Sequence, residues 1–409
     1  MRVLPIYRHT PFLFALLLTT ISSCDEKNND APLDREAHKD TSIYLADISS
    51  ADTINVVVEG GIKTIIDEKV FPSEMPLRPI VRIPSIIISN KRTMLVAAEN
   101  RANALDLGQI DIVLSRKADG DQSWKVRRVW SHDSLSYGRS MNPVFAVDRI
   151  GASGHDGRIY LFTCHIKHEV ALANEAETKQ VDFVYKYSDD DGLSWSEETS
   201  IKNFWDLSQY SAVIPSAANG IQLDDGTLVI PTMVIKDGGW HSGIVYSKPP
   251  MYDNWVFSNS TPCYGDNECT VYIDKQDQLI LDCRTTELVR HKYKYDFNND
   301  TWSPIEGSFT YNINLKAEIS KCLINDQDLY LMSFCDTPDE SRQNITLFAS
   351  NDGINWNKVY RLQEGLCHFG YSNVAVWDNK IAITYETYLK GTRVQEISDL
   401  STYIINAVR

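Results

Sequence analysis

The stretch "HDGRIYLFTC" (residues 155–164) sets a polar turn directly ahead of a run of strand-forming residues. Gly supplies the positive φ that a tight turn demands, and the β-branched and aromatic residues after it suit a pleated, half-buried surface. The same design recurs as "NKRTMLVAAE" (90–99), "DDGTLVIPTM" (224–233), "KQDQLILDCR" (275–284), "DQDLYLMSFC" (326–335) and "WDNKIAITYE" (377–386). These strands begin near Met94, Ile159, Leu228, Leu279, Leu329 and Ile381, a spacing that suits one four-stranded unit each. Around the first copy all four strands are readable: "VRIPSIII" (81–88), "TMLVAAE" (93–99), "IDIVLSR" (110–116) and "SWKVRRVW" (123–130). No long stretch of helical period interrupts the pattern. Six such units predict an all-β chain, a six-bladed β-propeller of four-stranded antiparallel blades.

A second repeat agrees. "SDDDGLSW" (188–195) matches the Asp-box pattern S-x-D-x-G-x-x-W in full, and "SNDGINW" (350–356) is one residue short. "ADGDQSW" (118–124) and "NNDTW" (298–302) are degraded relatives. In such a box the Asp bonds local backbone N–H groups, the Gly takes a positive φ and the Trp packs between sheets. The boxes are expected to be structural.

The chain's 409 residues, 43% of them hydrophobic, suffice for a large core, and the formal net charge of -15 excludes nucleic acid as the natural partner. "MRVLPIYRH" carries Arg2 and Arg8, and "PFLFALLLTTI" (11–21) is apolar but short for a bilayer span. With "ISSC" closing on Cys24, residues 1–24 resemble a bacterial lipoprotein signal, in which Cys24 is lipidated. Residues 25–52 read as a polar tether and 53–409 as the propeller. This organisation places the protein in the cell envelope, lipid-anchored to the outer membrane on its periplasmic side or at the cell surface. The anchor is its only expected membrane contact.

Eight cysteines less Cys24 leave an odd number, with no CxxC pair. "HIKHE" (His165, His168, Glu169) matches no zinc signature. No metal site is expected.

The candidate site follows from topology. In a blade, the start of the first strand and the end of the second share one rim. Arg82 starts a first strand, and Glu99 and Arg101 end its partner. In "DNECTVYIDKQDQLILDCR" (266–284) a turn centred on Gln276 sets Glu268 opposite Arg284 and Cys269 opposite Cys283. The two cysteines are expected as cross-strand neighbours facing away from the site, as two buried thiols acting as small hydrophobes or, alternatively, as a disulfide. Tyr371 and Glu386 hold the corresponding places in the last unit, while Asp106 and Arg342 lie just beyond second strands. Three arginines converging with carboxylates and a tyrosine call for a small anionic ligand, because guanidinium forks match a carboxylate.

These residues stand in segments that resemble the sialidases (neuraminidases) in order. "VRIPSII" resembles their Arg-Ile-Pro motif, and "ENRANALDLGQIDIV" the segment bearing their acid/base Asp. "MNPVFAVD", "NECTV…LDCR", "SRQNITLFAS" and "GYSNVAVW…ITYE" resemble later motifs, so the likeness spans roughly residues 80–388. It implies a bacterial retaining exo-α-sialidase. By that resemblance Arg82, Arg284 and Arg342 bind the sugar's carboxylate, and Glu386 orients Arg82. Asp106 is the acid/base, Tyr371 the nucleophile and Glu268 its activating base, while Arg101 is a pocket arginine. Asp111, inside "IDIVL", is the alternative acid/base. Phe145 and Trp240 are candidates for the pocket walls. The substrate is expected to be a sialylated glycan, the protein a monomer, and no cofactor is required. The alternatives are a related 2-keto acid sugar as substrate, transfer instead of hydrolysis, or a non-catalytic lectin of the same fold.

Overall fold

Each of the six turn-plus-strand repeats becomes the second strand of a four-stranded antiparallel unit. The computed structural model describes residues 64–406 except 72–78, 107, 132–137, 167–180, 202–204, 206–208, 286–288, 307–314, 325–326, 338–340, 363–364, 367–369, 378–379 and 390–396. The signal, tether and Cys24, together with His168 and Glu169, lie outside the described residues.

Blade 1 runs Ile80–Ile88, Met94–Arg101, Ile110–Lys117 and Lys125–Trp130, matching the four strands readable in the sequence. The second strands of blades 2 to 5 are Arg158–Ile166, Leu228–Lys236, Leu279–Cys283 and Gln327–Cys335, each paired with a first strand before it and a third after it. Blade 6 is built differently. Its strands Ser372–Trp377, Lys380–Leu389 and Ile397–Asn406 are completed by Thr64–Lys69, which pairs antiparallel with the last of them. The ring is thus closed by hydrogen bonds between the two ends of the propeller, through a strand that the sequence pattern does not single out.

Apolar faces of neighbouring blades meet to form the core. Ile86, Val96 and Val113 of blade 1 pack with Ala375 and Ala382 of blade 6, and Tyr160 and Phe162 of blade 2 with Ile230 and Val245 of blade 3. The Asp boxes occupy third-to-fourth strand turns on the rim away from the first-strand starts. Asp190 Oδ1 accepts from Ser188 Oγ at 2.8 Å and from the Ser194 N–H at 2.7 Å. Gly192 has φ +82, and a Cβ there would lie 2.3 Å from Leu95 of blade 1. The neighbouring Asp191 carbonyl accepts from Arg116 Nε at 2.8 Å, so this box also fastens blade 2 to blade 1.

The axis is plugged by polar groups from several blades. Asn219 Nδ2 donates to the Ile86 carbonyl at 2.6 Å and to Asn373 Oδ1 at 3.1 Å, and its N–H donates to Glu318 Oε1 at 3.1 Å. A cavity of about 1400 Å³ opens at the Asp-box rim, lined by Arg149, Gln222, Tyr272, Lys321 and Trp377 among others. It contains none of the candidate site residues, which lie at the opposite mouth.

Candidate active site

Three rim pairs build the mouth. Arg82 is registered with Glu99 in blade 1. In blade 4, Cys269 is registered with Cys283, and the next pair outward is Glu268 with Arg284, whose N–H donates to the Glu268 carbonyl at 2.8 Å. In blade 6 the Glu386 N–H donates to the Tyr371 carbonyl at 2.9 Å. The hairpin register centred on Gln276 therefore holds. Its turn is fixed by Asp274, whose Oδ1 accepts from the N–H groups of Gln276 and Gln278, each at 2.9 Å. Both cysteines are buried free thiols.

Tyr371 lies at the centre, 5% exposed. Its hydroxyl donates to Glu268 Oε1 at 2.6 Å, and Arg284 donates to that hydroxyl at 3.2 Å and to Glu268 Oε2 at 2.6 Å. The Arg82 and Arg342 guanidiniums stand 5.4 and 5.7 Å from its ring centroid. All three arginines thus surround one phenol. Arg342 comes from the segment beyond the second strand of blade 5 and reaches Tyr371 past Gly370, where any Cβ would meet the Arg342 Cβ at 3.0 Å. The glycine before the tyrosine is required by that approach.

The electrostatics are divided. Burial pushes the Tyr371 phenol up, and the Glu268 carboxylate adds to this while the arginines oppose it, so the resting phenol is neutral. Burial would also raise Glu268, but Arg284, the hydrogen bond from Tyr371 and Arg342 together hold its carboxyl below the usual range. A neutral phenol hydrogen-bonded to an ionised carboxylate is poised to pass its proton.

Glu386 fixes the floor. Its Oε1 accepts from Arg82 Nε at 3.3 Å and from the Ile83 N–H at 3.0 Å, and its Oε2 accepts from the Tyr371 N–H at 3.1 Å. Ile83 is in the left-handed region, φ 52, where a β-branched residue is an outlier. It lies in a register shift between Arg82 and Ser85 that turns the strand start toward Glu386.

Asp106 stands at the entrance with its side chain 64% exposed, and Arg101 Nη1 donates to its Oδ1 at 2.6 Å. Arg101 itself is buried and donates through Nε to Glu99 Oε2 at 2.6 Å. Asp111 is fully buried in a strand opposite Asn100, with Arg128 Nε at 3.2 Å, and does not reach the mouth. Phe145 is a core residue between blades 1 and 2. Trp240 is half-buried beside the second-to-third strand turn of blade 3, on the mouth rim. His165 is buried between Ser140 Oγ at 3.0 Å and Glu198 Oε2 at 2.7 Å.

Sequence reasoning placed Glu99 on the rim but gave it no role. Burial raises its carboxyl against the opposing pull of Arg101 and the Asn142 N–H. It is the buried end of a chain of contacts from Glu99 through Arg101 to Asp106. The signal available in the sequence was its register opposite Arg82.

The family model of the BNR repeat-like domain matches residues 93–383. A sialidase of Clostridium perfringens is 27% identical over 219 residues, covering 50% of this chain and 55% of that protein. A sialidase of Bacteroides fragilis (strain YCH46) is 26% identical over 387 residues, covering 87% of this chain and 70% of the relative. The chain thus matches little more than half the length of the clostridial relative. Among solved structures, the Trypanosoma rangeli sialidase in complex with 2,3-difluorosialic acid, a covalent intermediate, has a TM-score of 0.69 at 16% identity, over 84% of this chain and 57% of that one. At that identity the likeness speaks for the propeller alone. With the family model spanning well over half of its length, the chain belongs to the family of BNR repeat-like domains.

Proposed function

We propose that the protein is an exo-α-sialidase that removes terminal sialic acid from glycans with retention of configuration, through a sugar bound covalently to Tyr371. The observation that carries this reading is the Tyr371 hydroxyl, donating to the ionised Glu268 at 2.6 Å inside a ring of three arginines. A binding protein needs the arginines but has no use for a phenol coupled to a buried base.

Arg82, Arg284 and Arg342 take the sugar's carboxylate, with Glu386 holding Arg82 in place. That carboxylate sits on the anomeric carbon and would repel a carboxylate nucleophile, whereas a neutral phenol avoids the repulsion. Most retaining glycosidases use a pair of carboxylates; sialidases put a tyrosine in the nucleophile's place. In the first step Tyr371 Oη bonds to the anomeric carbon as its proton passes to Glu268, and Asp106 protonates the departing glycosidic oxygen. In the second, Asp106 deprotonates a water that attacks the same carbon, and the Tyr371 oxygen leaves with the proton returned by Glu268. Two inversions give retention. Arg101 holds Asp106 at the entrance, with its carboxyl exposed to solvent.

A fluorinated sialosyl fluoride tests the reading, since the intermediate then forms faster than it breaks down. Mass spectrometry should find the sugar on the peptide containing "GYSNVAVW", and Tyr371→Phe should abolish labelling. Sugar on Glu268, or none on an otherwise active enzyme, overturns it. NMR of the first product from a sialoside separates hydrolysis from transfer, and a panel of 2-keto acid sugars sets the substrate. We also propose that Cys24 carries a lipid anchor: Cys24→Ala should move the protein out of the detergent phase, and unchanged partitioning would exclude the anchor.

A further inference from the structure

Blade 4 carries a second cluster that the proposed chemistry does not use. Cys263, on the connection from blade 3, Asp266, two residues before Glu268, and His291, on the third strand of blade 4, each offer one donor atom, all within 4.8 Å of one another. The hairpin makes this meeting: Cys283 is registered with His291, and Glu268 lies just beyond Cys269, the partner of Cys283. His291 Nδ1 is 2.7 Å from Asp266 Oδ1. Asp266 is fully buried, and its Oδ2 has no hydrogen-bond partner. The Tyr293 hydroxyl is also buried, and it lies within hydrogen-bonding reach of Cys263 and Asp266. An unpaired carboxylate oxygen in a folded core is costly.

We propose that Cys263, Asp266 and His291 bind a transition-metal dication, zinc foremost. Sulfur, imidazole and carboxylate are zinc's three protein donor types. One thiolate and one carboxylate neutralise the dication, with the Cys263 proton released on binding and His291 coordinating through its neutral Nδ1. Water takes the fourth position, and the half-buried Cys263 and His291 give solvent access. Tyr293 is placed to donate to a ligand, the outer-shell bond that fixes coordinating groups. The ion would pin the segment leading to Glu268 against the third strand. The inference stands on the cluster's geometry and does not depend on the sialidase reading.

Cobalt serves as a spectroscopic stand-in. Titrating the reduced protein with Co²⁺ should raise a thiolate-to-metal charge-transfer band that saturates at about one equivalent and is bleached by Zn²⁺. Cys263→Ala should remove the band, and His291→Ala should weaken Zn²⁺ binding more than about 100-fold, beyond what outer-shell changes cost. Calorimetry in buffers of different ionisation enthalpy should show about one proton released per ion. Absence of the band in the wild type, or its persistence in Cys263→Ala, overturns the site. Should Cys263→Ala fail to fold, unchanged Zn²⁺ affinity in His291→Ala overturns it independently.

Discussion

Glu386 and Glu99 occupy the same place in adjacent blades, and they serve different ends of the mouth. Each lies near the rim end of a second strand, opposite Tyr371 and Arg82 respectively. Each accepts the N–H of a left-handed residue that precedes a proline in the next blade. Glu386 takes Ile83, φ 52, at 3.0 Å, and Glu99 takes Asn142, φ 54, at 2.7 Å. The difference lies in the second partner. Glu386 also holds Arg82 and the Tyr371 backbone at the floor, while Glu99 holds Arg101 and, through it, Asp106 at the entrance. The repeat supplies one seam between blades, and the choice of the cation beside it turns that seam into two distinct parts of a site.

Removing each carboxylate separates the two roles and gives the largest expected effects. Glu386→Ala takes one carboxylate away from a buried guanidinium and from two backbone N–H groups, a loss of about 3–5 kcal/mol of stability on the scale of broken buried pairs. Binding of a carboxylate-bearing inhibitor should fall with it, about 100-fold or more, as for a charge-assisted contact in a desolvated pocket. Glu99→Ala should cost somewhat less stability, because Arg101 keeps Asp106 as a partner. Its kinetic loss should fall on glycosides with poor leaving groups, which depend on proton donation, and spare activated aryl glycosides. Calorimetric titration with the inhibitor against both variants checks this. Equal losses of inhibitor affinity would erase the distinction between floor and entrance.

The pH dependence of stability sharpens the contrast among the buried glutamates. Burial pushes Glu318 up to about 7, against the pull of Lys316 at 3.2 Å and the Asn219 N–H. A raised carboxyl favours the protonated folded state, so its contribution is complete below about 4.5 and is lost as pH rises through about 7, on the order of 3 kcal/mol in all. Glu99 has the same sign. Glu268 has the opposite one: its stabilisation is present at neutral pH and disappears as pH falls below the ordinary carboxylate value. Urea denaturation across the pH range should show Glu318→Gln flattening the decline on the neutral side, and Glu268→Gln flattening the acid limb. A neutral-side slope unchanged in Glu318→Gln would mean that Lys316 outweighs burial.

The second strands and the 268–284 hairpin were legible because their signals are local: a turn of polar residues, then apolar residues on alternate positions. Arg82, Glu268, Tyr371 and Glu386 could be set on one rim because blade topology converts strand ends into neighbours. Thr64–Lys69 was not legible, since "TIIDEK" is short and becomes a strand only by pairing with the far end of the chain. Asp106 and Asp111 could not be separated by spacing alone. One is held at the entrance by Arg101, and the other is buried opposite Asn100, a distinction set by side-chain direction. Cys263, Asp266 and His291 escaped for the same reason: their sequence spacing matches no ligand motif, and only the sheet register brings the histidine to the other two.

The smallest predicted effect tests the seam itself. Asn142 tolerates its left-handed backbone better than Ile83 does, because asparagine visits that region readily. Its Nδ2 also donates to the Pro215 carbonyl at 3.0 Å, linking blade 2 to blade 3. Asn142→Gly keeps the backbone unstrained and loses that one buried bond, about 1 kcal/mol. Asn142→Ala loses the same bond and forces a Cβ into the left-handed region as well. Alanine should therefore be the more destabilising of the two by about 0.5–1 kcal/mol, although it is ordinarily the less flexible and better-tolerated residue. The measurement is the difference in urea-unfolding free energy between the two variants. If alanine equals or exceeds glycine in stability, residue 142 does not hold its N–H toward Glu99 in the left-handed conformation, and the parallel with Ile83 and Glu386 fails.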